Sequence, residues 1–217
     1  MGDIIFLSER MSDRSRPSSD ASRFFFALGD PFSYLVGERI ERALGSIDWV
    51  PVLGPFVDLG DSVAEIDRDA RAQDRLELAE REAKNLDLPF VEPHRYPMDH
   101  RAAARAAAFA VESGVGPAFA IAMARMAFCG GYDISSSSVI AEAAASARLN
   151  PYEAIAASAA SQHDLQLDAT TRGLRSRRIT VPAISIGHSW FDGPDALVAA
   201  VNFSVARRMQ TPSAPVS

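Results

Sequence analysis

The chain is short of cysteine, of clustered histidine and of long apolar runs, and each shortage excludes a class of protein. Among 217 residues Cys129 is the single cysteine, which excludes an intrachain disulfide, a CxxC redox pair and a cysteine-rich zinc site. The four histidines, at positions 94, 100, 163 and 188, lack HxxxH-type spacing, so we expect no metal. No apolar run approaches the roughly 20 residues that span a bilayer.

Positive charge is also in the minority, with 22 Lys and Arg against 28 Asp and Glu and a formal net charge of −6. Binding to nucleic acid or to an anionic membrane needs many cations on one face, so we expect neither partner. The start of the chain has acidic Asp3 before a four-residue apolar stretch, whereas a secretory signal has a basic start and about 7–15 apolar residues. We therefore expect a cytoplasmic protein.

The remaining composition is that of a globular domain, with 47% apolar and 23% charged residues. The ends differ from the rest because residues 10–23 and 211–217 are polar or rich in proline and serine. We expect flexible tails there. Translation could begin at Met1 or at Met11, and the sequence leaves both open.

The first ordered elements are predicted to be a strand, a helix and a strand. Residues 24–28 form a short apolar run, typical of a buried strand, before the turn Gly29-Asp30-Pro31. Asp is a preferred N-cap, and Pro is favoured at the first helical position, so this turn predicts a helix that ends at Gly45. Residues 47–53 alternate like a second strand. A strand–helix–strand unit implies a parallel pair.

The middle of the chain is predicted to be helical, and its end returns to strands. A charged surface helix is expected over residues 61–87 and a proline-containing connector over 89–97. An alanine-rich block with three candidate helices follows over 101–150, then a helix that starts at Asn150-Pro151 and another over about 165–177. A hairpin over 181–191 and a last helix to about residue 208 complete the chain. The order of elements is therefore βαβ, a helical block and ββα.

Four segments carry a family resemblance in the same order. They are residues 24–35 (FFFALGDPFSYL), residues 47–54 (IDWVPVLG), residues 127–135 (AFCGGYDIS), and Val181-Pro182 with the later FDGPDAL at residues 191–197. These segments resemble the DsbA-type branch of the thioredoxin-fold superfamily. Within that branch they are most similar to the 2-hydroxychromene-2-carboxylate isomerases and the kappa-class glutathione transferases. The resemblance covers the chain from residue 23 to about residue 208.

The resemblance implies an α/β, thioredoxin-like fold (βαβ…ββα) with an inserted all-helical domain. On this expectation residues 23–92 and 166–208 are the two parts of the thioredoxin-like domain, and residues 93–165 are the helical insertion. Residues 1–22 and 209–217 are the expected disordered tails. The resemblance also implies a cis peptide bond at Val181–Pro182 and a homodimer.

The function that the resemblance implies is isomerisation of an aromatic acid with glutathione or another thiol. The thiolate would lie at the N-terminus of the first helix, where free backbone N–H groups and the helix dipole favour an anion. A residue before the cis-proline would bind the glutathione backbone, and an acid near the last helix would bind its amine. The implied catalytic residues are Asp30 and Ser33, and the implied cofactor-binding residues are Phe32, Val181, Pro182 and Asp195.

Asp30 departs from the family pattern, since it stands where the relatives have the catalytic serine. A carboxylate that stays ionised at a helix start has no proton to donate to a thiolate. Two like charges 4 Å apart repel by about 4 kcal/mol at an effective dielectric near 20. Residues 55–67 also lack the asparagine and lysine that hold the tripeptide in the relatives, and Thr180 replaces a glycine.

Two alternatives to the thiol-dependent isomerase follow from this departure. One is a thiol-independent enzyme in which Asp30 is the general base. The other is a non-catalytic thioredoxin-fold protein that binds a ligand or a partner. A disulfide oxidoreductase is excluded because positions 30 and 33 are not cysteines.

Several residues also have a simpler structural interpretation. We expect Asp30 to cap the first helix and the Ser33 hydroxyl to bond a backbone carbonyl. Other expectations are a buried Cys129, a solvated His188, core positions for Tyr34 and Trp49, and a solvated helix end for Arg172, Arg175, Arg177 and Arg178.

Overall fold

The computed structural model describes residues 21–54 and 65–210, which contain four strands and eight helices. In chain order these are β1 (Ser22–Phe26), α1 (Pro31–Leu44), β2 (Asp48–Pro51), α2 (Glu65–Asn85), α3 (Arg101–Glu112), α4 (Gly116–Phe128), α5 (Ser137–Ser146), α6 (Pro151–Ala159), α7 (Asp164–Ser176), β3 (Ala183–Ile186), β4 (Ser189–Asp192) and α8 (Ala196–Gln210). The predicted order βαβ, helical block, ββα is confirmed.

The strands form one mixed sheet in the order β2-β1-β3-β4. β1 pairs in parallel with β2, with Phe24 opposite Trp49, and antiparallel with β3. β3 and β4 form the predicted hairpin, whose turn contains Gly187 at φ +59°. Glycine adopts this left-handed conformation without the steric cost that a Cβ would add.

One face of the sheet carries the main core. Phe24 and Phe26 pack edge-on against Trp49, with ring centroids 4.9 and 5.3 Å apart. α1 covers this face with its apolar side, and Tyr34 and Trp49 are buried as expected. Because α1 is anchored along its length by this burial, its N-terminus is fixed relative to the end of β1.

The helical block packs closely because its contact residues are small. Ala103, Ala106, Ala107 and Ala110 lie on one face of α3, and all four are fully buried. This i, i+3, i+4, i+7 spacing is the buried stripe of an amphipathic helix. α3 uses it to pack against α4 and α6, and α4 contacts α1.

The opposite face of the sheet has a smaller core under the end of α7. Its buried members are Phe25, Ala27, Val52, Leu174, Ile179, Val181 and Ala183. Trp190 packs on Phe25 with a centroid distance of 5.1 Å, and the guanidinium of Arg177 lies 5.6 Å from the Trp190 ring. The arginines at the end of α7 are exposed, as expected; they are Arg172, Arg175, Arg177 and Arg178.

Other expectations concern the ends of the chain, membranes and metals. Residues 1–20 and 211–217 lie outside the described residues, whereas β1 begins at Ser22 and α8 extends to Gln210.

In residues 21–54 and 65–210, no helix combines the length and the apolar character needed to cross a bilayer. In the same ranges, no three His, Cys, Asp or Glu side chains are grouped so that they could hold a metal ion.

Candidate functional site

Asp30 caps α1 and is bonded on both carboxylate oxygens. Its backbone is extended (φ −107°, ψ 120°), and Oδ2 accepts hydrogen bonds from the Ser33 backbone N–H at 2.7 Å and from Ser33 Oγ at 2.8 Å. The predicted N-cap role is confirmed. The expected bond from Ser33 to a carbonyl is wrong, because a carboxylate within reach is a stronger acceptor. Ser33 Oγ in turn accepts from the Ala27 backbone N–H at 3.2 Å.

The second oxygen of Asp30 binds an arginine from α2. Oδ1 accepts from Nε of Arg75 at 2.8 Å and from Nη2 at 2.6 Å. Nη2 also donates to the Val181 carbonyl at 2.9 Å, and the guanidinium carbon lies 4.8 Å from the centre of the Phe32 ring. Asp30 is fully buried and the Arg75 side chain is 17% exposed. This is a buried ion pair at the start of α1.

The electrostatics of the pair favour the charged forms. Burial opposes the cationic form of Arg75, but the charge and hydrogen bonds of Asp30 outweigh it and raise the Arg75 pKa. The hydroxyl of Tyr96 lies beside the pair, buried and without a hydrogen bond of standard geometry. Burial, helped by the Asp30 charge, raises the Tyr96 pKa. Tyr96 therefore covers the pair as a neutral phenol.

His100 lies on the other side of Asp30 and is held in one tautomer. Nε2 accepts from the Gly54 backbone N–H at 2.7 Å, so the proton is on Nδ1, which faces the Met98 carbonyl at 3.1 Å. Burial lowers the His100 pKa. The neutral ring joins Gly54, three residues after β2, to Met98 in the connector before α3, and it packs on Gly29.

Replacing Gly29 by alanine is expected to lower the free energy of unfolding by about 1–3 kcal/mol. The added Cβ would lie 2.8 Å from Nδ1 of His100, and two hydrogen bonds keep this ring from moving. Gly173→Ala is the matched control, since a Cβ there meets nothing within 4 Å and the residue is exposed on α7. It should stabilise the protein by about 0.5–1 kcal/mol. Urea unfolding midpoints measure both, and equal effects would contradict the packing argument.

The structure brings together five of the six site residues that were implied by the resemblance. Asp30, Phe32 and Val181 contact the Arg75 guanidinium, Ser33 bonds Asp30, and Val181–Pro182 is a cis peptide bond, as expected. The Pro182 carbonyl accepts from Gly193 N–H at 2.9 Å, which ties this loop to the start of α8. Asp195 is exposed just beyond Gly193. Its role as an amine ligand stays a prediction.

A cavity of about 500 Å³ opens along the connector that carries Tyr96 and His100, and none of the described residues that contact Asp30 or Arg75 lines it. Its walls are the connector, through His94, Arg95 and Met98, and the turn between α4 and α5, through Tyr132 and Asp133. Hydrogen bonds from the Ser135 hydroxyl at 2.7 Å and backbone N–H at 2.9 Å, helped by the Arg95 charge, lower the Asp133 pKa. The cavity therefore has an apolar wall and a charged rim.

The sequence analysis missed Arg75, Tyr96 and His100. α2 is highly charged and was predicted as a surface helix, although Leu76, Ala79 and Ala83 bury one of its faces. A signal for Arg75 was available, because a carboxylate at the end of a buried strand needs a cation or several hydrogen bonds. Nothing in the spacing of the four histidines distinguishes His100 from the others.

Cys129 and His188 were predicted to lack a functional role. His188 is exposed at the hairpin turn, as expected. Cys129 is half-buried rather than buried; it packs against the edge of the main core, and its Sγ donates to the Tyr34 hydroxyl at 3.2 Å. Burial, with the Cys129 contact, raises the Tyr34 pKa.

No family model matches the sequence, and no curated protein matches it significantly. Solved structures do match. A 2-hydroxychromene-2-carboxylate isomerase aligns with a TM-score of 0.72 and 17% identity, over 88% of this chain and 96% of that one. A probable DsbA oxidoreductase from Streptomyces coelicolor has a TM-score of 0.66 and 17% identity, over 91% of this chain and 93% of that one.

A third similar structure is the cytosolic disulfide reductase DsbM from Pseudomonas aeruginosa, with a TM-score of 0.55 and 19% identity over 86% of this chain and 99% of that chain. At such identities the similarity shows the fold alone. The features of this chain that belong to that fold are the mixed sheet of four strands, the cis-proline beside the start of α1 and the inserted helices. The chain therefore has the DsbA-type thioredoxin fold with a helical insertion, the fold predicted from its sequence.

Proposed function

We propose that the chain is an isomerase of a small aromatic acid and that it works without a thiol at the start of α1. The overall likeness to 2-hydroxychromene-2-carboxylate isomerase, over 88% of this chain, supports the reaction class. The observation that carries the thiol-free part is the Asp30–Arg75 pair.

The residues present do not fit a glutathione thiolate at the N-terminus of α1. The Ser33 N–H and hydroxyl, which would face an anion there, are bonded to Asp30. The Val181 carbonyl, which would accept from the glutathione backbone, accepts from Arg75. A thiolate would also meet the negative charge of Asp30. No step of the proposed reaction uses glutathione.

The cavity between the connector and the turn after α4 supports binding of an aromatic acid. Its volume of about 500 Å³ lies within the roughly 300–1,000 Å³ of small-molecule sites. The guanidinium of Arg95 on its rim suits a carboxylate, because the two groups form charge-assisted hydrogen bonds. Pro93, Pro97 and Met98 supply the apolar wall against which an aromatic ring can pack.

The ring-opening step, which gives the open keto acid with its double bond still cis, needs only one proton to be relayed. In 2-hydroxychromene-2-carboxylate, the hydroxyl and the ring oxygen share one carbon. Opening the ring breaks the bond from that carbon to the ring oxygen, which keeps the electron pair and gains a proton. The hydroxyl loses its proton and becomes a carbonyl. His94 lines the cavity, and its imidazole can accept the proton of the hydroxyl and pass it to the ring oxygen.

A specific observation favours a second candidate, a protein that binds an aromatic acid without converting it. Asp30, Ser33 and Val181 all have internal partners, so the part of the fold where the family resemblance implies the chemistry is closed. The same cavity would then serve as a binding site, and His94 would have no role beyond contact.

Purified protein is expected to convert 2-hydroxychromene-2-carboxylate at a rate that added glutathione leaves unchanged. His94→Gln should lower kcat by roughly 10²–10⁴-fold. Arg95→Gln should raise KM by roughly 10–100-fold, because a charge-assisted hydrogen bond contributes about 1.5–3 kcal/mol. The control is His188→Gln, which changes an exposed histidine of the hairpin and should leave both constants unaltered. Absorbance of the substrate follows the reaction.

The outcomes separate the candidates. Turnover that appears only with glutathione contradicts the thiol-free mechanism. Saturable binding by calorimetry without turnover supports the second candidate, provided that Arg95→Gln weakens it. Neither binding nor turnover overturns both.

A further inference from the structure

The groups that hold Arg75 form a site of their own. We propose that Asp30, Val181 and Phe32 make a guanidinium-binding site, and that Arg75 is its built-in ligand. The inference does not depend on the proposed activity, because it concerns only the start of α1 and the loop before β3. The ligand at this position is a cation, whereas the family resemblance implies an anionic thiolate there.

Each group of the site matches a different part of a guanidinium ion. The carboxylate of Asp30 accepts two N–H groups, at 2.8 and 2.6 Å, and the Val181 carbonyl accepts a third bond at 2.9 Å. The Phe32 ring covers the face of the ion at 4.8 Å, where a cation–π attraction operates. The planar guanidinium can direct its N–H donors at the carboxylate and at the carbonyl at the same time, whereas an ammonium group cannot.

The site is preorganised without Arg75. Oδ2 of Asp30 is held by two bonds from Ser33, which fix the carboxylate plane and direct Oδ1 toward the guanidinium. Phe32 and Val181 are 2% and 1% exposed, so packing holds both. Asp30 is fully buried, so loss of the cation would leave a buried charge unpaired.

A small cation has a path to the site. The Arg75 side chain borders a surface cavity of about 240 Å³, together with Arg71, Asp74 and Leu78 of the same helix. Truncation of Arg75 would join this cavity to the carboxylate. Methylguanidinium would then reach Oδ1 and the Val181 carbonyl from solvent.

The test is chemical rescue of Arg75→Ala in the full chain. The variant is expected to melt roughly 10 °C below wild type, because a buried carboxylate loses its partner. Methylguanidinium, at about five times its dissociation constant, should raise the melting temperature of the variant by roughly 2–4 °C. Methylammonium at the same concentration should do less. Arg71→Ala, an exposed arginine one turn earlier, is the matched control and should show no rise.

The double variant Asp30→Ser/Arg75→Ala keeps the proposal testable if Arg75→Ala does not fold alone. The double variant has no buried charge, so it should fold and show no response to methylguanidinium. An unfolded Arg75→Ala that regains its circular dichroism in methylguanidinium supports the site. The proposal is overturned if Arg75→Ala, folded or not, responds no more than Arg71→Ala does, or if the double variant responds equally.

Discussion

Replacing Asp30 by asparagine is expected to lower the free energy of unfolding by about 3–5 kcal/mol, the usual cost of breaking a buried ion pair. Asparagine is as good an N-cap as aspartate, so its Oδ1 can still accept from the Ser33 N–H. Its amide group would then face the guanidinium of Arg75, where Oδ1 of Asp30 now accepts bonds at 2.8 and 2.6 Å. The loss therefore measures the ion pair together with its two hydrogen bonds, and not the cap.

The matched control is Glu38→Gln, which removes the acid of a partly exposed ion pair on the same helix. Arg125 contacts Glu38 at similar distances, 2.6 and 2.7 Å, but the Arg125 side chain is 59% exposed and the Glu38 side chain 11%. Exposed pairs contribute about 0–1 kcal/mol. Urea unfolding of both variants gives the comparison. Similar losses would mean that burial does not strengthen the Asp30–Arg75 interaction and would remove the basis of a closed site.

The fold was predictable because its signals are local. Each signal spans only a few residues of sequence. Examples are the cap and proline at Asp30-Pro31, the apolar strand before them and the alanine stripe of α3. Those signals define where elements begin and end, and their order limits the topology. The four family segments then selected one fold among the βαβ arrangements.

The partner of Asp30 was not predictable in the same way. α2 carries several arginines, including Arg71, Arg75 and Arg81, and the choice among them depends on how α2 docks on α1. The buried positions Leu76, Ala79 and Ala83 give the direction of docking, and Arg75 lies next to that face. A sequence gives the direction of the face but not the element that it meets, 45 residues away in the chain.

As a consequence, the group bound at the start of α1 is a cation and not an anion. A helix N-terminus favours an anion, and in this chain the anion is the covalently fixed carboxylate of Asp30. Once that carboxylate is buried, the next requirement is a cation, which Arg75 meets. The resemblance alone implied a thiolate at this position, because it describes the backbone geometry and not the charge that one substitution introduces.

Acidification below pH 6.5 is expected to destabilise the protein through His100. Burial lowers its pKa in the folded state below the ordinary value of 6.5, so above pH 6.5 the ring is neutral in both states and the stability is complete. Between 6.5 and the lowered value, the unfolded chain binds a proton that the folded protein excludes. Stability then falls by up to about 1.4 kcal/mol per pH unit.

Protonation is opposed at the ring because Nε2 accepts the Gly54 N–H at 2.7 Å. A proton on Nε2 would replace that attraction with two facing donors. The neighbouring charges do not all act in one direction, since Asp99 and Asp30 raise the His100 pKa while Arg101 lowers it. Burial is the largest cause, and its effect exceeds that of the two acids.

His100→Gln is expected to flatten the pH dependence between 6.5 and 5, because Oε1 of glutamine can accept from Gly54 in place of Nε2 and does not titrate. His188→Gln is the control, since His188 is exposed and its loss should leave the slope unchanged. The measurement is the unfolding free energy from urea titrations at half-unit steps of pH. A slope that persists in His100→Gln would assign the acid sensitivity to other groups. A slope that disappears would assign the acid sensitivity to the ring that joins Gly54 to Met98.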